Sequence, residues 1–410
     1  MIWPVVKLID VAFIQMGQSP PGHTYNSDHL GMPFFQGKTD FGEKHPKIRM
    51  YCSEPNRVAE LGDILLSVRA PVGPTNVADR QCCIGRGLAS IRPRDINLAL
   101  STYLQYVFKW VEPSLSRSGH GSTFTAIKRR DVENITFPLP SIEEQHRIVE
   151  FLSQADAIRK QRVEADTKTS RILPALFYNM FGDPISNGGK WPRKSFKEVC
   201  SKISDGTHHS PKPQSQGVKY ITAKHIRPYS VNFKSAPTYV QLSDHKKIYS
   251  RCDPVKGDIL YIKDGATTGA AALNPFEEEF SMLSSLALLK PDYDQVTPEY
   301  FVTYLNIPAV KQQMIGNMDG AAIRRLTLTK IKSATLPLPP LPLQQEFSKH
   351  YKDLQVQVEE NSQMRDQLNT LYKVLMHRAF EGSLTASWRE THMKELLQEM
   401  DQQAKMLRGN

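Results

Sequence analysis

The feature that most constrains this chain is a long internal repeat. The segments "FPLPSIEEQHRIVEFL" (137–152) and "LPLPPLPLQQEFSKHY" (336–351) each join an extended Pro-Leu-Pro stretch to the start of a helix. Gln145 of the first segment matches Gln344 of the second, in the same place relative to the prolines. A match of this length predicts a duplicated fold rather than one continuous domain.

The repeat extends beyond these two segments. Further matched elements are Trp3-Pro4 with Trp191-Pro192, Gly31 with Gly217, Lys38 with Lys224, and GDIL at 62–65 with GDIL at 257–260. The separation between matched residues drifts along the chain, and small loop insertions explain such drift at little thermodynamic cost. Each repeat therefore contains a Trp-Pro start, short strands bounded by Gly and Pro, a Pro-Leu-Pro segment and a helix.

Both predicted helices have the apolar spacing of a coiled-coil seam, with steps of four and three residues and a polar centre. A helix of about 40 residues is roughly 60 Å long, which is more than one small domain can cover. We therefore expect the two helices to pack on each other, although each could instead pack on its own domain. Pro174 is expected to kink the first helix near its end. The predicted seam consists of Ile148, Leu152, Ala155, Leu173 and Leu176 in the first helix and Phe347, Tyr351, Leu354, Val358, Leu368 and Leu375 in the second.

The predicted fold class is α+β, with two similar mixed α/β domains separated by a pair of long antiparallel helices and related by pseudo-twofold symmetry. We expect a first mixed domain at 1–140, a first helix at 141–183, a second mixed domain at 184–339, a second helix at 340–382 and a helical tail at 383–410.

Composition narrows the class of partner and the compartment. A net charge of +10 favours a polyanion, with nucleic acid ahead of an acidic membrane surface, although a merely basic soluble protein fits as well. The five cysteines are irregularly spaced without a CxxC pair, which indicates neither a disulfide framework nor a zinc ribbon. Because no leader peptide or spanning apolar stretch is evident, we expect a cytoplasmic protein in a reducing compartment.

The sequence offers no motif for catalysis. It has no phosphate-binding glycine loop, no local hydrolytic triad and no Asn/Asp-Pro-Pro-aromatic loop of the kind adenine methyltransferases carry. His208 and His209 are adjacent, so on a strand they point to opposite faces and suit one metal ion poorly. We therefore expect a binding protein that holds no metal or cofactor of its own.

Candidate DNA-contacting residues are polar or basic and lie in predicted loops. Basic side chains would contact phosphates, whereas Arg, Lys, Gln and Thr side chains on loops could also read base edges. For any single one of them, a solvated charged surface is the alternative. The candidates are Gln36, Lys38, Thr39, Arg69, Lys128, Arg129, Arg130, Thr207, His208, His209, Lys224, Lys263, Arg324 and Arg325.

The chain resembles the specificity subunits of type I restriction–modification systems over nearly all of its length. The segments that carry the resemblance are "LPSIEEQHRIVEFL" (139–152), "LFYNMFGDP" (176–184), "ISDGTHHSP" (203–211) and "FEGSLTASWRE" (380–390). The second copy departs from the pattern because Pro342 and Leu343 replace Glu143 and Glu144. This replacement affects either helix capping or a partner contact.

The resemblance implies a function for each part. Two target-recognition domains would each read one half of a bipartite site in double-stranded DNA, and the helices would set the spacer between the half-sites. The helices would also dock two modification subunits, which carry the adenine methyltransferase and bind S-adenosylmethionine. Restriction subunits would cleave DNA with ATP and Mg²⁺, and this chain would be non-catalytic.

Two other classes of function remain open from the residues alone. The chain could be the recognition part of a fused restriction–methylation enzyme, which would methylate DNA without a partner. It could also be a coiled-coil adaptor that binds DNA without sequence preference or not at all. A footprint on a bipartite site would distinguish the specificity subunit from the adaptor.

Overall fold

The structure is a computed structural model that describes residues 3–118, 126–186, 189–316 and 326–408. The chain divides into two compact units. The first unit comprises Met1–Arg162 and Met364–Asn410, and the second comprises Val163–Gln363. The division therefore crosses the two long helices rather than the predicted domain edges.

The strands of the first unit are β1 (Val5–Lys7), β2 (Ala12–Met16), β3 (Tyr25–Asn26), β4 (Met32–Phe35), β5 (Tyr51–Cys52), β6 (Val58–Ala59), β7 (Ile64–Ser67), β8 (Thr75–Val77), β9 (Cys82–Ile84), β10 (Leu88–Pro93) and β11 (Thr136–Pro138). They form an antiparallel sheet, in the order β2-β10-β7-β8, and a mixed sheet, in the order β3-β5-β4-β9-β6. In the mixed sheet β4 and β9 run parallel, and a separate antiparallel pair joins β1 to β11. The helices of this part are α1 (Leu8–Val11), α2 (Ser101–Ser118) and α3 (Arg129–Glu133).

The predicted first long helix is two helices, α4 (Ile142–Thr169) and α5 (Ile172–Phe181). The break lies at Ser170 and Arg171, just before Pro174. Proline has no N–H to donate, and its ring clashes with the carbonyl four residues earlier, which here belongs to Ser170. The proline therefore interrupts the helix instead of only bending it.

The second unit repeats the first. Its strands are β12 (Arg193–Ser195), β13 (Cys200–Asp205), β14 (Val218–Ile221), β15 (Ile226–Arg227), β16 (Ser230–Val231), β17 (Tyr239–Val240), β18 (Ile259–Ile262), β19 (Ala271–Leu273), β20 (Ser281–Met282), β21 (Leu286–Pro291) and β22 (Thr335–Pro337). The antiparallel sheet has the order β13-β21-β18-β19, and β14 pairs with β20 in parallel, as β4 pairs with β9. The helices are α6 (Leu242–Tyr249), α7 (Pro298–Asn306), α8 (Pro308–Gly316) and α9 (Leu328–Ser333).

The second long helix, α10 (Leu341–Glu381), is continuous over 41 residues. Two further helices, α11 (Ala386–Thr391) and α12 (Met393–Arg408), follow it in the first unit. None of the described helices is both long enough and apolar enough to cross a membrane.

Within each unit the long helices pack on each other, and they run antiparallel. In the first unit Ile148 and Leu152 of α4 share a core with Met376 and Phe380 of α10, while Arg159 donates to Asn369 at 3.0 Å. In the second unit the rings of Phe177 and Phe181 of α5 lie 5.9 Å and 5.4 Å from that of Phe347 near the start of α10. The early part of one helix thus meets the late part of the other.

The seam residues differ in how well they are buried. Ile148, Leu152, Leu173, Phe347 and Tyr351 belong to the two main cores. Ala155, Leu176, Leu354, Leu368 and Leu375 are half-buried. Val358 was predicted to lie in the seam, but its side chain is 42% exposed, so that prediction is wrong. The part of α10 around Val358 contributes no residue to either apolar core.

The repeated GDIL sequence builds the same turn in both units. Gly62 and Gly257 have φ angles of 86° and 89°, a conformation that glycine adopts without strain. The aspartates that follow, Asp63 and Asp258, are buried, and each accepts a hydrogen bond from the backbone N–H three residues earlier. Each carboxylate also pairs with a cation on the neighbouring strand. These pairs are Asp63–Arg92 at 2.6 Å and Asp258–Lys290 at 2.9 Å.

A buried glutamine joins each long helix to its domain. In the second unit Gln344 is fully buried, and its amide donates to the carbonyls of Gln295 (3.1 Å) and Pro339 (2.8 Å). Its amide oxygen accepts from the backbone N–H of Thr297 at 3.0 Å. One side chain therefore fixes the helix start, the Pro-Leu-Pro segment and the loop before α7.

Gln145 makes the same three bonds in the first unit. Its amide donates to the carbonyls of Leu98 (3.1 Å) and Pro140 (3.0 Å), and its oxygen accepts from Leu100 N at 2.9 Å. The sequence match between the two glutamines thus corresponds to a matched set of hydrogen bonds.

We predict that Gln344→Leu lowers the free energy of unfolding of the second unit by about 3 kcal/mol, because each buried polar group left without a partner costs about 1–3 kcal/mol. Urea denaturation measures the change. Gln345→Leu is the matched control, since Gln345 is exposed on the same helix and exposed substitutions usually change stability by about 0.5 kcal/mol or less. Equal effects of the two substitutions would contradict the role of the buried amide.

Candidate nucleic-acid interface

Several strands of the first unit end at one edge, and their loops are joined there by backbone hydrogen bonds. We call this the first loop edge, made of residues 17–19, 36–40, 68–69 and 85–87. The bonds are Gly17 N to Leu88 O (2.8 Å), Gln18 N to Ile84 O (3.0 Å), Val68 N to Gly87 O (2.9 Å) and Gly85 N to Phe35 O (2.8 Å).

The second unit has the same arrangement. Its loop edge consists of residues 206–209, 222–225, 263–264 and 283–285. The equivalent bonds are Gly206 N to Leu286 O (3.4 Å), Thr207 N to Met282 O (2.8 Å), Lys263 N to Ser285 O (3.0 Å) and Leu283 N to Ile221 O (3.0 Å). The backbone of the edge is thus duplicated, and the side chains on it are free to differ.

Lys38 and Lys224 lie at matched places on the two loop edges. Each stands in a short 3₁₀ turn, Lys38–Asp40 or Ala223–His225, that directly follows the parallel strand β4 or β14. Both lysines are exposed. Gln36 and Thr39 are exposed beside Lys38, so the first turn presents three of the predicted residues together.

The two turns are capped by different side chains. In the first, the Asp40 carboxylate accepts from the backbone N–H of Gln36 at 2.7 Å. In the second, Nδ1 of His225 accepts from Thr222 N at 3.0 Å, and Nε2 lies 2.9 Å from the carbonyl of Ala236. An acceptor at Nδ1 and a donor at Nε2 describe a neutral imidazole.

Burial lowers the pKa of His225 below its ordinary value of 6.5. The positive charges of Lys224 and Arg227 act in the same direction, and the hydrogen bond to Ala236 opposes them. The neutral imidazole that the turn requires is therefore the favoured form near neutral pH.

Arg69 lies exposed on the first loop edge, next to the strand end of β7. It forms an isolated bridge with Ala126, and Ile127 donates to the carbonyl of Val68 at 3.0 Å. Lys128 follows directly and is exposed. The backbone thus places Lys128 shortly after Ala126, the bridge partner of Arg69.

Arg129 and Arg130 lie on α3, directly after Lys128. Arg129 pairs with Glu133 at 2.6 Å and lines a surface cavity of about 330 Å³ together with Arg92 and Arg94. None of the residues that line this cavity belongs to the first loop edge. Arg324 and Arg325 of the second unit fall outside the described residues.

Thr207, His208 and His209 form the loop after β13, with His208 and His209 exposed. The Thr207 hydroxyl donates to the carbonyl of His209 at 3.0 Å. His208 Nε2 lies 3.2 Å from the carboxylate of Asp205, which is only 3% exposed. Among the described residues, no group of three or more His, Cys, Asp and Glu side chains is placed to hold a metal ion.

Lys263 is buried, which argues against the predicted phosphate contact. Its ammonium group donates to Asp264 at 2.8 Å and lies 3.8 Å from Asp205. Arg69 and Lys263 each follow a GDIL strand, but the backbone bonds make Lys263 the equivalent of the buried Val68 and not of Arg69. We therefore leave Lys263 out of the proposed interface.

Two exposed arginines on or near the loop edges were missed by the sequence analysis. Arg86 stands in the tight turn Gly85–Gly87, and the Gly-Arg-Gly sequence was a turn signal that could have identified it. Arg251 donates to buried Asp205 at 2.6 Å. No local signal marks Arg251, because it comes from the end of α6, far along the chain from Asp205.

Comparison with known proteins relates this chain to a defined family. The sequence model described as the type I restriction modification DNA specificity domain matches twice, at residues 2–165 and 189–370. The putative type I restriction enzyme MjaX specificity subunit of Methanocaldococcus jannaschii is 37% identical over 180 residues, which is 42% of each chain. The MjaIX specificity subunit of the same organism is 22% identical over 93% of each chain.

A solved structure has the same fold. The type I restriction–modification S subunit from M. genitalium superposes with a TM-score of 0.52 at 14% identity, over 92% of this chain and 96% of that one. The two matches of the family model fall on the two structural repeats, each with its loop edge and long helix. The chain therefore belongs to the type I restriction modification DNA specificity family, as a specificity subunit.

Proposed function

We propose that each unit reads one half of a bipartite site in double-stranded DNA, with its loop edge as the contact surface. The observation that carries the proposal is the duplication of this edge, with an exposed lysine in the same turn of both units. Phosphate contacts from such lysines fix the position of a protein on DNA, and neighbouring polar side chains read the bases.

The side chains at matched positions support different half-sites. Arg69 of the first edge and Asp264 of the second follow Val68 and Lys263, whose backbone bonds are equivalent. Arg69 is exposed and can donate to guanine O6 and N7, whereas the Asp264 carboxylate already accepts from the ammonium group of Lys263 at 2.8 Å. Equal backbones with different side chains suit a site whose two halves differ in sequence.

We further propose that the long helices set the spacer between the half-sites and dock two modification subunits. Those subunits would hold S-adenosylmethionine and methylate adenine, and restriction subunits would cleave DNA with ATP and Mg²⁺. This chain would then supply recognition without catalysis. We place the complex in the cytoplasm of a bacterial or archaeal cell, where it meets DNA.

The spacer proposal predicts the outcome of lengthening the helices. We expect insertion of four residues after Arg162 in α4 and after Gln363 in α10 to widen the spacer by one or two base pairs, because four helical residues add about 6 Å and one base pair rises about 3.4 Å. Mapping methylated adenines in cells that carry the variant system reads the site directly. A control that replaces four residues at each place, without added length, keeps the original spacer. Altered half-sites with an unchanged spacer would refute the proposal.

The phosphate contacts predict a change in salt dependence. We expect Lys38→Gln and Lys224→Gln each to weaken DNA binding on every sequence tested and to reduce the slope of log affinity against log salt by about 1. Fluorescence anisotropy at several salt concentrations measures the slope. Lys7→Gln is the matched control, since Lys7 is exposed on β1, before the strand that leads to the loop edge. If both variants have the same slope of log affinity against log salt as the wild type, these lysines do not contact DNA phosphates.

The neutral histidine cap predicts a pH dependence confined to the second unit. The pKa of His225 is lowered in the folded protein, so the contribution of this side chain to folding stability is fully present above its ordinary pKa of 6.5. That contribution is lost as the pH falls through the lowered pKa. We expect wild type to lose stability relative to His225→Asn between pH 7 and pH 5, because Asn keeps an acceptor but does not titrate. Urea denaturation across this pH range tests the prediction. A difference between the two proteins that stays constant with pH would contradict it.

A further inference from the structure

A buried carboxylate at the end of β13 holds two exposed side chains beside the second loop edge. The carboxylate belongs to Asp205, which is 3% exposed. One of its oxygens accepts from Nη2 of Arg251 at 2.6 Å, and the other lies 3.2 Å from Nε2 of His208. The side chains of Arg251 and His208 are 56% and 55% exposed. The two groups therefore lie side by side, on the two oxygens of one carboxylate, where a ligand can reach them.

Lys263 is a third cation near this carboxylate, but it has a nearer partner. Its ammonium group donates to Asp264 at 2.8 Å and lies 3.8 Å from Asp205. Hydrogen bonds from nitrogen to oxygen are about 2.7–3.2 Å long, so the longer distance is not a hydrogen bond. The short contacts of Asp205 with charged side chains are therefore made to the two exposed groups and not to the buried lysine.

Strand pairing identifies the residue of the first unit that matches Asp205. Asp205 pairs with Ala287 of β21, and Met16 pairs with Ala89 of β10. Both alanines stand second in the matched sequences LASIRP (88–93) and LALLKP (286–291). Met16 packs against the core of the first unit. The shared backbone thus accepts an apolar side chain at this position and does not require a carboxylate.

The free energy of burial makes the carboxylate informative. Moving a charged group out of water is costly, and apolar side chains in place of a buried ion pair are often neutral or stabilising. Because the matched position of the first unit is Met16, the same fold is built there without this cost. Stability alone therefore does not account for Asp205.

Arg251 has the chemistry to read a base from this position. One N–H of its guanidinium is used at Asp205, and the planar group holds its other N–H donors in a fixed fork. An arginine on O6 and N7 of guanine is the commonest base-specific contact in the major groove. A guanidinium that a carboxylate already orients also loses less conformational freedom when it binds.

We propose that Arg251 reads a guanine in the half-site of the second unit, and that Asp205 is the positioning residue that holds it. The inference rests on the proposed function, in which this unit reads one half of a bipartite site. His208 flanks the guanidinium on the loop edge, from the other oxygen of the same carboxylate. The matched Met16 has no acceptor of this strength, so this mode of recognition belongs to the second half-site alone.

Arg251→Ala tests the base contact in the complete system. Methylated adenines are mapped in cells that carry the variant chain together with its modification subunits. We expect one guanine position of one half-site to accept other bases, with the preference for guanine reduced by about 5- to 150-fold, which is about 1–3 kcal/mol. The other half-site and the spacer stay unchanged. Lys246→Ala is the matched control, since Lys246 is an exposed basic residue on α6, and we expect it to keep the wild-type motif at every position.

Asp205→Met tests the positioning role with the residue that the first unit carries at this place. Lys263 keeps Asp264 as its partner, and Arg251 stays exposed to water, so no buried cation loses its nearest carboxylate. We expect the same guanine position to relax as in Arg251→Ala. We expect the double variant to relax no further than Arg251→Ala alone, because Asp205 acts through Arg251 and the two effects are then not additive.

The outcomes separate this inference from the function on which it rests. If Arg251→Ala keeps the wild-type motif, or lowers methylation at all sites alike, Arg251 does not read a base. If Asp205→Met keeps the guanine preference, adds to the effect of Arg251→Ala, or abolishes methylation, Asp205 is not a positioning residue. If the wild-type motif is a single uninterrupted block, the proposed function itself fails.

Discussion

The hydrogen bonds of two buried glutamine amides hold this molecule's sheets to its helices. Each amide ties three separate segments together, so the direction in which a long helix leaves its domain is fixed by one side chain with all of its polar atoms paired. A tyrosine strengthens each junction, because the hydroxyls of Tyr103 and Tyr300 donate at 2.7 Å to the carbonyls of Pro138 and Pro337. These bonds act together with the apolar packing of Ile148 and Phe347, which hold the starts of the two helices in the cores of their units.

The loop edges combine backbone hydrogen bonds that are the same in both units with side chains that differ. Four backbone hydrogen bonds are repeated in both units, and they use groups that every residue except proline possesses. Exposed side chains on this frame, such as Arg69 and Arg86, are therefore replaceable without loss of these bonds. Lys38 and Lys224 place the same charge at one matched position, whereas Arg69 and Asp264 carry opposite charge at another. Loops on a rigid scaffold are where specificity is expected to vary.

The sequence predicted structural features that occur in both repeats. It missed features that depend on residues distant in sequence and close in space. The matched glutamines, the GDIL turns and most seam residues could be found because each appears twice in the same order. The burial of Lys263 could not, since it depends on Asp205 from another strand. The exposure of Val358 was missed because heptad spacing continues where the apolar cores do not. Pro174 was recognised as a disturbance, but spacing alone does not distinguish a kink from a break.

Glu144 and Leu343 stand at matched positions, and the tryptophans of the two repeats are held by different partners. In the second unit Trp191 donates to the carbonyl of Phe181 at 3.0 Å, and the chain runs on covalently from the end of α5 to this tryptophan. In the first unit Trp3 is far in sequence from Phe380, and its Nε1 donates instead to the Glu144 carboxylate at 2.8 Å.

A non-covalent junction between two chain segments needs directional contacts to fix it, and Glu144 supplies them. Its carboxylate accepts from Trp3 and from Arg389, and the Arg389 guanidinium lies 4.7 Å from the centre of the Trp3 ring. Leu343 has no polar group for such a junction and packs instead against the apolar core of the second unit. The matched position therefore makes directional polar contacts in the first unit and apolar contacts in the second.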